Sequence, residues 1–327
     1  MQKIIGLGNA LVDIITKVDD EVILKKLNLP KGSMTLVDES FSREVMRHTQ
    51  SLKKTKASGG SAANTIHGLA KLGALVSFVG KIGGDEMGSF FLEDLKANKV
   101  TPFLIRSKKD TGKAQALITN DAERTFATSL GAAIDLSAAD LEERLFEGHH
   151  LLYVEGYLVQ NHELLEKSLM MAKKTGLKIA LDLASYNVVE DNLAFLTEMV
   201  REYVDIVFAN EEEAQAFTGS TDPREALLKL AEITELAVVK IGKGGSLISH
   251  KGDTVIIKID PVESIDSTGA GDLYAAGFLF GYIQNQPMKV CGELGSLLAG
   301  SVIQGIGAKI PEEKWEDILR KARRIMD

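Results

Sequence analysis

Residues 266–272 read Asp-Ser-Thr-Gly-Ala-Gly-Asp and run at once into the small, apolar stretch LYAAGFLFGY. A glycine-rich turn that opens a helix leaves the first backbone N–H groups without internal partners, at the positive end of the helix dipole. Such a terminus holds anions, phosphate above all. Gly269, Ala270 and Gly271 supply amides, and Asp272 stands beside them in the first turn. A proton acceptor next to an anion hole suits transfer of a phosphoryl group to a hydroxyl. The helix terminus is expected to favour the charged form of Asp272. Taken alone, the same turn is equally a helix start with a favourable dipole partner.

Four further segments carry suitable polar groups. Ser58-Gly-Gly-Ser-Ala-Ala-Asn64 is a second glycine turn entering a helix. Gly59 and Gly60 allow close backbone approach, and Asn64 offers both a donor and an acceptor to a polyhydroxylated ring. An N-cap by Ser61 is the structural alternative. The run GLGNALVDII places Asn9 and Asp13 after a first strand, where open α/β sheets bind ligands. Asp13 interrupts an apolar run and needs a partner, which sugar hydroxyls or a lysine can supply. Asn210-Glu-Glu-Glu213 follows the strand-like VDIVFA. It is a favourable helix start, and it also suits hydrated Mg²⁺, which takes few carboxylates alongside water and phosphate oxygens. Lys240-Ile-Gly242-Lys-Gly-Gly245 either wraps nucleotide phosphates or makes a tight hairpin with solvated lysines.

The elements that must position these groups alternate along the chain. Strands are expected at 3–8, 75–80, 150–154, 177–182, 204–209, 236–241 and 253–259, several of them continuous Val/Ile/Leu runs suited to burial on both faces. Helices are expected at 41–54, 61–72, 86–98, 137–146, 161–175, 191–202, 211–218, 223–233, 268–284, 288–304 and 312–325. Ser137 with Asp140 reads as a capping box, and Gly73 as a helix C-terminal glycine. This pattern predicts a mostly parallel central sheet with helices on both faces. Segments 14–37 and about 100–130 read instead as short polar-alternating strands. They predict a small β-sheet lid inserted in a single domain spanning 1–327. The lysine-rich SLKKTKAS at 51–58 reads as a solvated helix end.

Composition narrows the class. The chain has 327 residues and a formal net charge of −8, which disfavours a broad nucleic-acid surface. Its one cysteine, Cys291, excludes an intrachain disulfide and a cysteine-rich metal site, and reads as a packed apolar residue. A reduced, cytoplasmic setting is the expectation, with no membrane partner, since no apolar run reaches the length of a membrane span.

On these motifs the chain resembles the ribokinase-like, or PfkB, carbohydrate and nucleoside kinases over essentially its whole length. DSTGAGD at 266–272 resembles the family's C-terminal signature, and SGGSAAN at 58–64 its N-terminal one. NEEE at 210–213 is similar to its Asn-x-x-Glu magnesium motif, and VKIGKGG at 239–245 to its nucleotide loop. The resemblance implies a ribokinase-like three-layer fold and ATP-dependent transfer to a primary hydroxyl of a sugar or nucleoside. It implies Asp272 as base, with the amides of Gly269, Ala270 and Gly271 stabilising the transferring γ-phosphoryl. Asn9, Asp13, Gly60 and Asn64 would hold the acceptor, and Lys240, Gly242 and Gly245 the nucleotide phosphates. Asn210 and Glu213 would organise Mg²⁺ through water. Asp266 and Thr268, with backbone oxygens around Val302, Gly305 and Gly307, would hold a monovalent cation such as K⁺. A monomer or a lid-mediated homodimer is implied.

Substrate identity divides two ways. GLGNALVDI, YVEGYLVQ and REYVDIVFANEEEA resemble adenosine kinases, with Tyr153, Tyr157 and Phe126 as candidates to stack on a purine. Ala62-Ala63 resembles the sugar kinases of ribose, fructose or a keto-acid sugar. Two readings from other classes compete. GLGNAL is a near miss to the dinucleotide fingerprint of an NAD-dependent oxidoreductase, without its third glycine. A non-catalytic sugar-binding regulator has no use for Asp272 beside an anion hole.

Overall fold

The computed structural model describes residues 2–18, 22–120, 123–259 and 262–327. In chain order the strands are β1 (Lys3–Leu7), β2 (Leu11–Lys17), β3 (Met34–Leu36), β4 (Lys54–Gly59), β5 (Leu75–Ile82), β6 (Val100–Arg106), β7 (Thr111–Ile118), β8 (Arg124–Gly131), β9 (Leu151–Glu155), β10 (Lys178–Asp182), β11 (Ile206–Asn210), β12 (Leu236–Lys240), β13 (Ser246–His250) and β14 (Asp253–Ile257). The helices are α1 (Val22–Lys26), α2 (Glu39–His48), α3 (Ser61–Lys71), α4 (Glu86–Ala97), α5 (His162–Lys174), α6 (Tyr186–Asp191), α7 (Leu193–Tyr203), α8 (Glu211–Thr218), α9 (Pro223–Ala231), α10 (Ala270–Tyr282), α11 (Met288–Val302) and α12 (Trp315–Met326).

The large sheet has the order β14-β13-β12-β11-β10-β9-β1-β5-β6 and is parallel from β12 through β6. β1 lies between β9 and β5, where the direction of strand addition reverses. Such switch points leave a crevice beyond the carboxyl ends of the strands. Strand alternation sends Ile4 to one face and Ile5 to the other. The first face packs against α3, α4, α10, α11 and α12, and the second against α5, α7, α8 and α9.

Small residues set the spacing on the first face. A Cβ on Gly68 of α3 would stand 2.8 Å from Ala276 Cβ and 2.9 Å from Leu273 Cδ1 of α10. Both helices therefore approach at glycine distance, and this brings their first turns together.

The second sheet has the order β3-β8-β7-β2-β4. Leu117 and Ala127 on its outer face pack with Leu24, Leu27 and Val45 of and around α1 and α2. Its composition differs from the expected lid segments: Val22–Lys26, expected within a run of short strands, is the helix α1, and two further places change. Residues 100–106 form β6, paired with β5 at the edge of the large sheet. Residues 54–58 of the expected helix end at 51–58 instead belong to β4, paired antiparallel with β2. Lys54 and Lys56 fall on this edge strand, where lysines oppose edge-to-edge association. Residues 19–21 and 121–122 of the expected segments lie outside the described residues.

Two other expectations change. Residues 137–146 form short 3-10 turns rather than a helix. The Ser137–Asp140 capping box is present, but Asp140 also accepts from Lys81 Nζ at 2.8 Å, which anchors it to β5. β13, absent from the expected strands, carries buried Ser246 and Ser249 that break its apolar run. Among the described residues, no helix is long and apolar enough to cross a membrane.

Candidate active site

Five parallel strands end at one edge of the large sheet, and each delivers a polar residue there. Asn9 follows β1, while Glu155, Asp182, Asn210 and Lys240 end β9, β10, β11 and β12. Glu155 is 1 % exposed and organises the front of this edge. Its Oε1 accepts from the Asn9 backbone N–H at 2.9 Å and from Asn9 Nδ2 at 2.6 Å. Its Oε2 accepts from the Ala62 N–H at 2.8 Å. α3 starts at Gly60 with no side-chain cap, so Glu155 meets one of its orphan amides from outside. Burial pushes the Glu155 carboxyl up to about 7, against the hydrogen bonds from Ala62 and Asn9. Asn9 thus fixes the turn after β1 through Glu155.

Ser61, freed from capping, donates from Oγ to Asp272 Oδ1 at 2.7 Å. Asn64 donates from Nδ2 to Asp272 Oδ2 at 2.9 Å, and Thr65 Oγ1 to the Asp272 carbonyl at 3.0 Å. The two glycine turns, some two hundred residues apart in the chain, therefore meet at one carboxylate. Burial pushes Asp272 up to about 6, while the bonds from Ser61 and Asn64 pull it down. The Asp182 charge adds to the rise and Lys240 opposes it. The expectation that the helix terminus would favour the charged form is overturned, because desolvation outweighs it.

The glycine turn at 269–271 is closely packed. Gly269 adopts φ +76°, and a Cβ there would press on Ala308 Cβ at 2.7 Å. A Cβ on Gly271 would lie 3.2 Å from Lys240 Nζ, so the ammonium rests against the turn. Lys240 Nζ donates to Asp182 Oδ2 at 2.9 Å, and Asp182 Oδ1 accepts from the Ala184 N–H at 3.0 Å. Burial would lower the Lys240 ammonium, but the charges of Asp182, Glu213 and Asp272 raise it above its ordinary value. Gly242 and Gly245, with φ of +51° and +95°, shape the tight link from β12 to antiparallel β13.

Asn210 and Glu213 form a reciprocal capping box at the start of α8. Asn210 Oδ1 accepts from the Glu213 N–H at 2.8 Å, and Glu213 Oε2 from the Asn210 N–H at 2.8 Å. Asn210 Nδ2 also donates to Glu213 Oε1 at 2.7 Å. Burial pushes Glu213 up to about 7, with Lys240 opposing the rise. Among the described residues, no three His, Cys, Asp or Glu side chains gather as a metal cage. With both Glu213 oxygens engaged, the pair suits outer contact with a hydrated Mg²⁺ held by phosphate, not direct ligation.

Between the second sheet and the 266–272 turn lies a small cleft of ≈ 20 Å³, lined by Asp13, Ile15, Ala116, Ile118, Arg124, Phe126, Asp266, Thr268, Ile306 and Gly307. Asp13 is only partly covered, yet desolvation pushes its carboxyl up to about 7. Lys309 opposes that rise and the Asp272 charge adds to it. Lys309 is itself fixed, donating to Ser58 Oγ and Asp94 Oδ2, each at 2.6 Å. Gly60 has φ +98°, and a Cβ there would collide with the Asn9 carbonyl. Of the three aromatic candidates, only Phe126 lines this cleft. Tyr153 is fully buried in the core, and Tyr157 points its hydroxyl at the Ala184 carbonyl, 3.5 Å away.

Asp266 and Thr268 lie together at the cleft, but the Asp266 carboxylate is paired with Arg124 of β8. Sequence reasoning missed Glu155, Asp182, Ser61, Lys309 and Arg124. The first two carried a usable signal. Both are acidic residues closing an apolar strand, LLYVE and KIALD, the same rule that drew attention to Asn210.

A parallel-dominated sheet between helical layers, with a second small sheet, is the architecture of the ribokinase-like kinases. The chain belongs to the pfkB family of carbohydrate kinases, whose pattern matches residues 33–315. Membership makes it a phosphotransferase with an alcohol acceptor, and implies ATP with a divalent cation. It is 29% identical to an adenosine kinase of Saccharomyces cerevisiae, over 95% of this chain and 97% of that one. Two solved structures resemble it with a TM-score of 0.87. One is an adenosine kinase from Sinorhizobium meliloti, 33% identical, covering 98% of this chain and 99% of that one. The other is a probable sugar kinase from Rhizobium etli, 31% identical, covering 98% of each.

Proposed function

We propose that the chain transfers the γ-phosphoryl of ATP to the primary hydroxyl of a purine nucleoside of the adenosine type. The observation that carries the reaction is the junction at Asp272. One carboxylate is shared by the front-end turn, through Ser61 and Asn64, and by the anion turn, with Lys240 against Gly271. Acceptor site, proton acceptor and phosphate site are thus one constellation. Asp272, ionised above pH 6, orients the acceptor hydroxyl and takes its proton as the oxygen bonds to phosphorus. The bond from phosphorus to the bridging oxygen breaks and ADP departs. The transition state is loose, so positioning and charge stabilisation dominate. The amides of Gly269, Ala270 and Gly271 and the Lys240 ammonium receive the charge, with Gly242 and Gly245 shaping the nucleotide side. Asn210 and Glu213 would hold the water shell of a bound Mg²⁺, which would supply charge neutralisation at the phosphates.

Asp13, Gly60 and Asn64 hold the ribose side, with Asn9 supporting them through Glu155. Burial holds the Asp13 carboxyl up at about 7, and a hydroxyl donating to it favours its charged form. Asn64 Oδ1 is buried without a protein partner and offers a further acceptor. The nucleoside preference is supported by the likeness to adenosine kinases over nearly the whole chain, with Ile15, Ala116, Ile118, Phe126 and Ile306 as an apolar wall beside Asp13 against which a flat base packs. The likeness to a probable sugar kinase and the Ala62-Ala63 pair support the sugar reading as the alternative. An ATP-consumption assay over nucleosides, ribose, fructose and keto-acid sugars separates them. Turnover of adenosine or a close purine nucleoside is expected. Turnover of free sugars alone moves the assignment to a sugar kinase.

A further inference from the structure

The cation expected at Asp266 and Thr268 does not fit the structure, because the Arg124 guanidinium already occupies that oxygen set. Asp266 is 2 % exposed. Its Oδ1 accepts from the Thr268 N–H at 2.7 Å and from Arg124 Nη1. Its Oδ2 accepts from the Gly307 N–H at 2.6 Å. The Val302 carbonyl accepts from the Gly305 N–H at 3.0 Å. Arg124 also donates from Nη1 to Thr268 Oγ1 at 3.3 Å and from Nη2 to the Ile265 carbonyl at 2.8 Å.

A carboxylate, a hydroxyl and a carbonyl oxygen therefore converge on one guanidinium. This is the kind of oxygen set a monovalent cation would take. A planar fork with several donors meets it with directed bonds, which a spherical ion or an ammonium cannot match. A carboxylate buried this deeply requires a compensating charge, and the side chain of Arg124 is itself only 16 % exposed. Thr268 immediately precedes Gly269, so the guanidinium braces the anion turn at its entry. Arg124 is carried by β8 of the second sheet, while Asp266 belongs to the body. Seating of that sheet and bracing of the turn are one event.

We infer that Arg124 is a positioning residue that supplies the fixed cation of the anion turn, so that the chain has no need of an exchangeable monovalent cation. The inference rests on the phosphotransfer reading for its rate measurements but not for its stability measurement. The experiment compares wild type, R124A and R124K in potassium, sodium and tetramethylammonium chloride at equal ionic strength. Thermal unfolding is read first. The wild-type midpoint is expected to agree within about 2 °C across the three salts, since a bound ion would raise it. Rates follow with ATP, Mg²⁺ and whichever acceptor the screen yields. Wild-type turnover is expected to vary less than about twofold, whereas R124A loses about tenfold or more in kcat with KM little changed. Guanidinium chloride at about 50 mM is expected to restore part of the R124A rate and to leave wild type unchanged, with R124K intermediate. A wild-type midpoint or rate that rises strongly and selectively with potassium overturns the inference, as does an R124A enzyme with undiminished kcat. If no acceptor is turned over, the phosphotransfer reading has failed, and the unfolding series still decides the cation question.

Discussion

Asp272→Asn separates chemistry from architecture at the centre of the site. Asparagine keeps the size and one acceptor, so Ser61 retains its bond. The second bond becomes a conflict, because Asn64 Nδ2 would face an amide N–H₂ in place of a carboxylate oxygen. Turning the Asn64 amide over resolves this, since its Oδ1 has no protein partner to lose. The stability ledger is small. Burial raises the carboxyl from 3.8 to about 6. Roughly two units at about 1.4 kcal/mol each put the ionised form near 3 kcal/mol against folding above pH 6. Removing the charge recovers that, and rearranging the hydrogen bonds takes back about 1 kcal/mol. The variant is therefore expected to unfold at a urea concentration equal to or above wild type at pH 8. Its turnover, followed by coupled ADP release with an acceptor from the screen, is expected to fall about 10²–10⁴-fold, with the acceptor KM changed far less. The wild-type rate should also rise through an apparent value near 6, and the variant should lose that step. Turnover within tenfold of wild type, in a folded variant, refutes the assignment of Asp272 as base.

Other perturbations test the scaffold. Gly60→Ala forces a side chain to φ +98° and into the Asn9 carbonyl; a loss of about 3 kcal/mol or more is expected in urea unfolding, with acceptor affinity reduced. Gly68→Ala pushes α3 away from Ala276 and Leu273 of α10, so about 1–3 kcal/mol of stability and a larger share of kcat than of KM should go, because the Asn64–Asp272 contact opens. Glu155→Ala strands the Asn9 and Ala62 donors and is expected to cost about 3 kcal/mol, with Glu155→Gln recovering part of it by calorimetry. Asp13, Glu155 and Glu213 at about 7 and Asp272 at about 6 all lie above their unfolded values. The stabilisation they provide is complete below about pH 4 and is lost as pH rises through 6 to 7. His67, depressed to about 3 by burial, works the other way below about pH 6.5. The ligand-free protein should accordingly be more stable at pH 6 than at pH 8.5, by about 3 kcal/mol, and a flat profile would remove the case for these buried acids.

The large sheet was legible because its strands are apolar on both faces, so periodicity and burial agree along runs such as VDIVFA and LAVVK. The second sheet was legible only as a place where that pattern stops. Its strand β4, KTKASG, carries lysines that mimic a solvated helix end, and only pairing with β2 distinguishes the two. Within the site, the glycine turns announced themselves by composition. The partners that join them did not. Ser61 reads as a cap until Glu155, from another strand, takes that task and leaves its hydroxyl for Asp272. Arg124 reads as one surface charge among many until the fold lays β8 against Asp266. Such pairings depend on three-dimensional adjacency, which local propensity does not encode.

The contact of α3 with α10 also bears on synthesis. β1, α3 and β5 emerge early, and the sheet can grow through β14 before α10 exists. Until the chain beyond residue 262 is made, the sheet face that packs on α10, α11 and α12 has no cover apart from α3 and α4. A nascent chain at that stage presents a broad apolar surface, the kind of intermediate that aggregates or recruits a chaperone. It also has the front-end turn without the anion turn, so it has no means of directing a phosphoryl group. Truncation near residue 265 should thus yield insoluble protein in place of a soluble, acceptor-binding fragment. Docking of α10, α11 and α12 thus completes the core and the chemistry together.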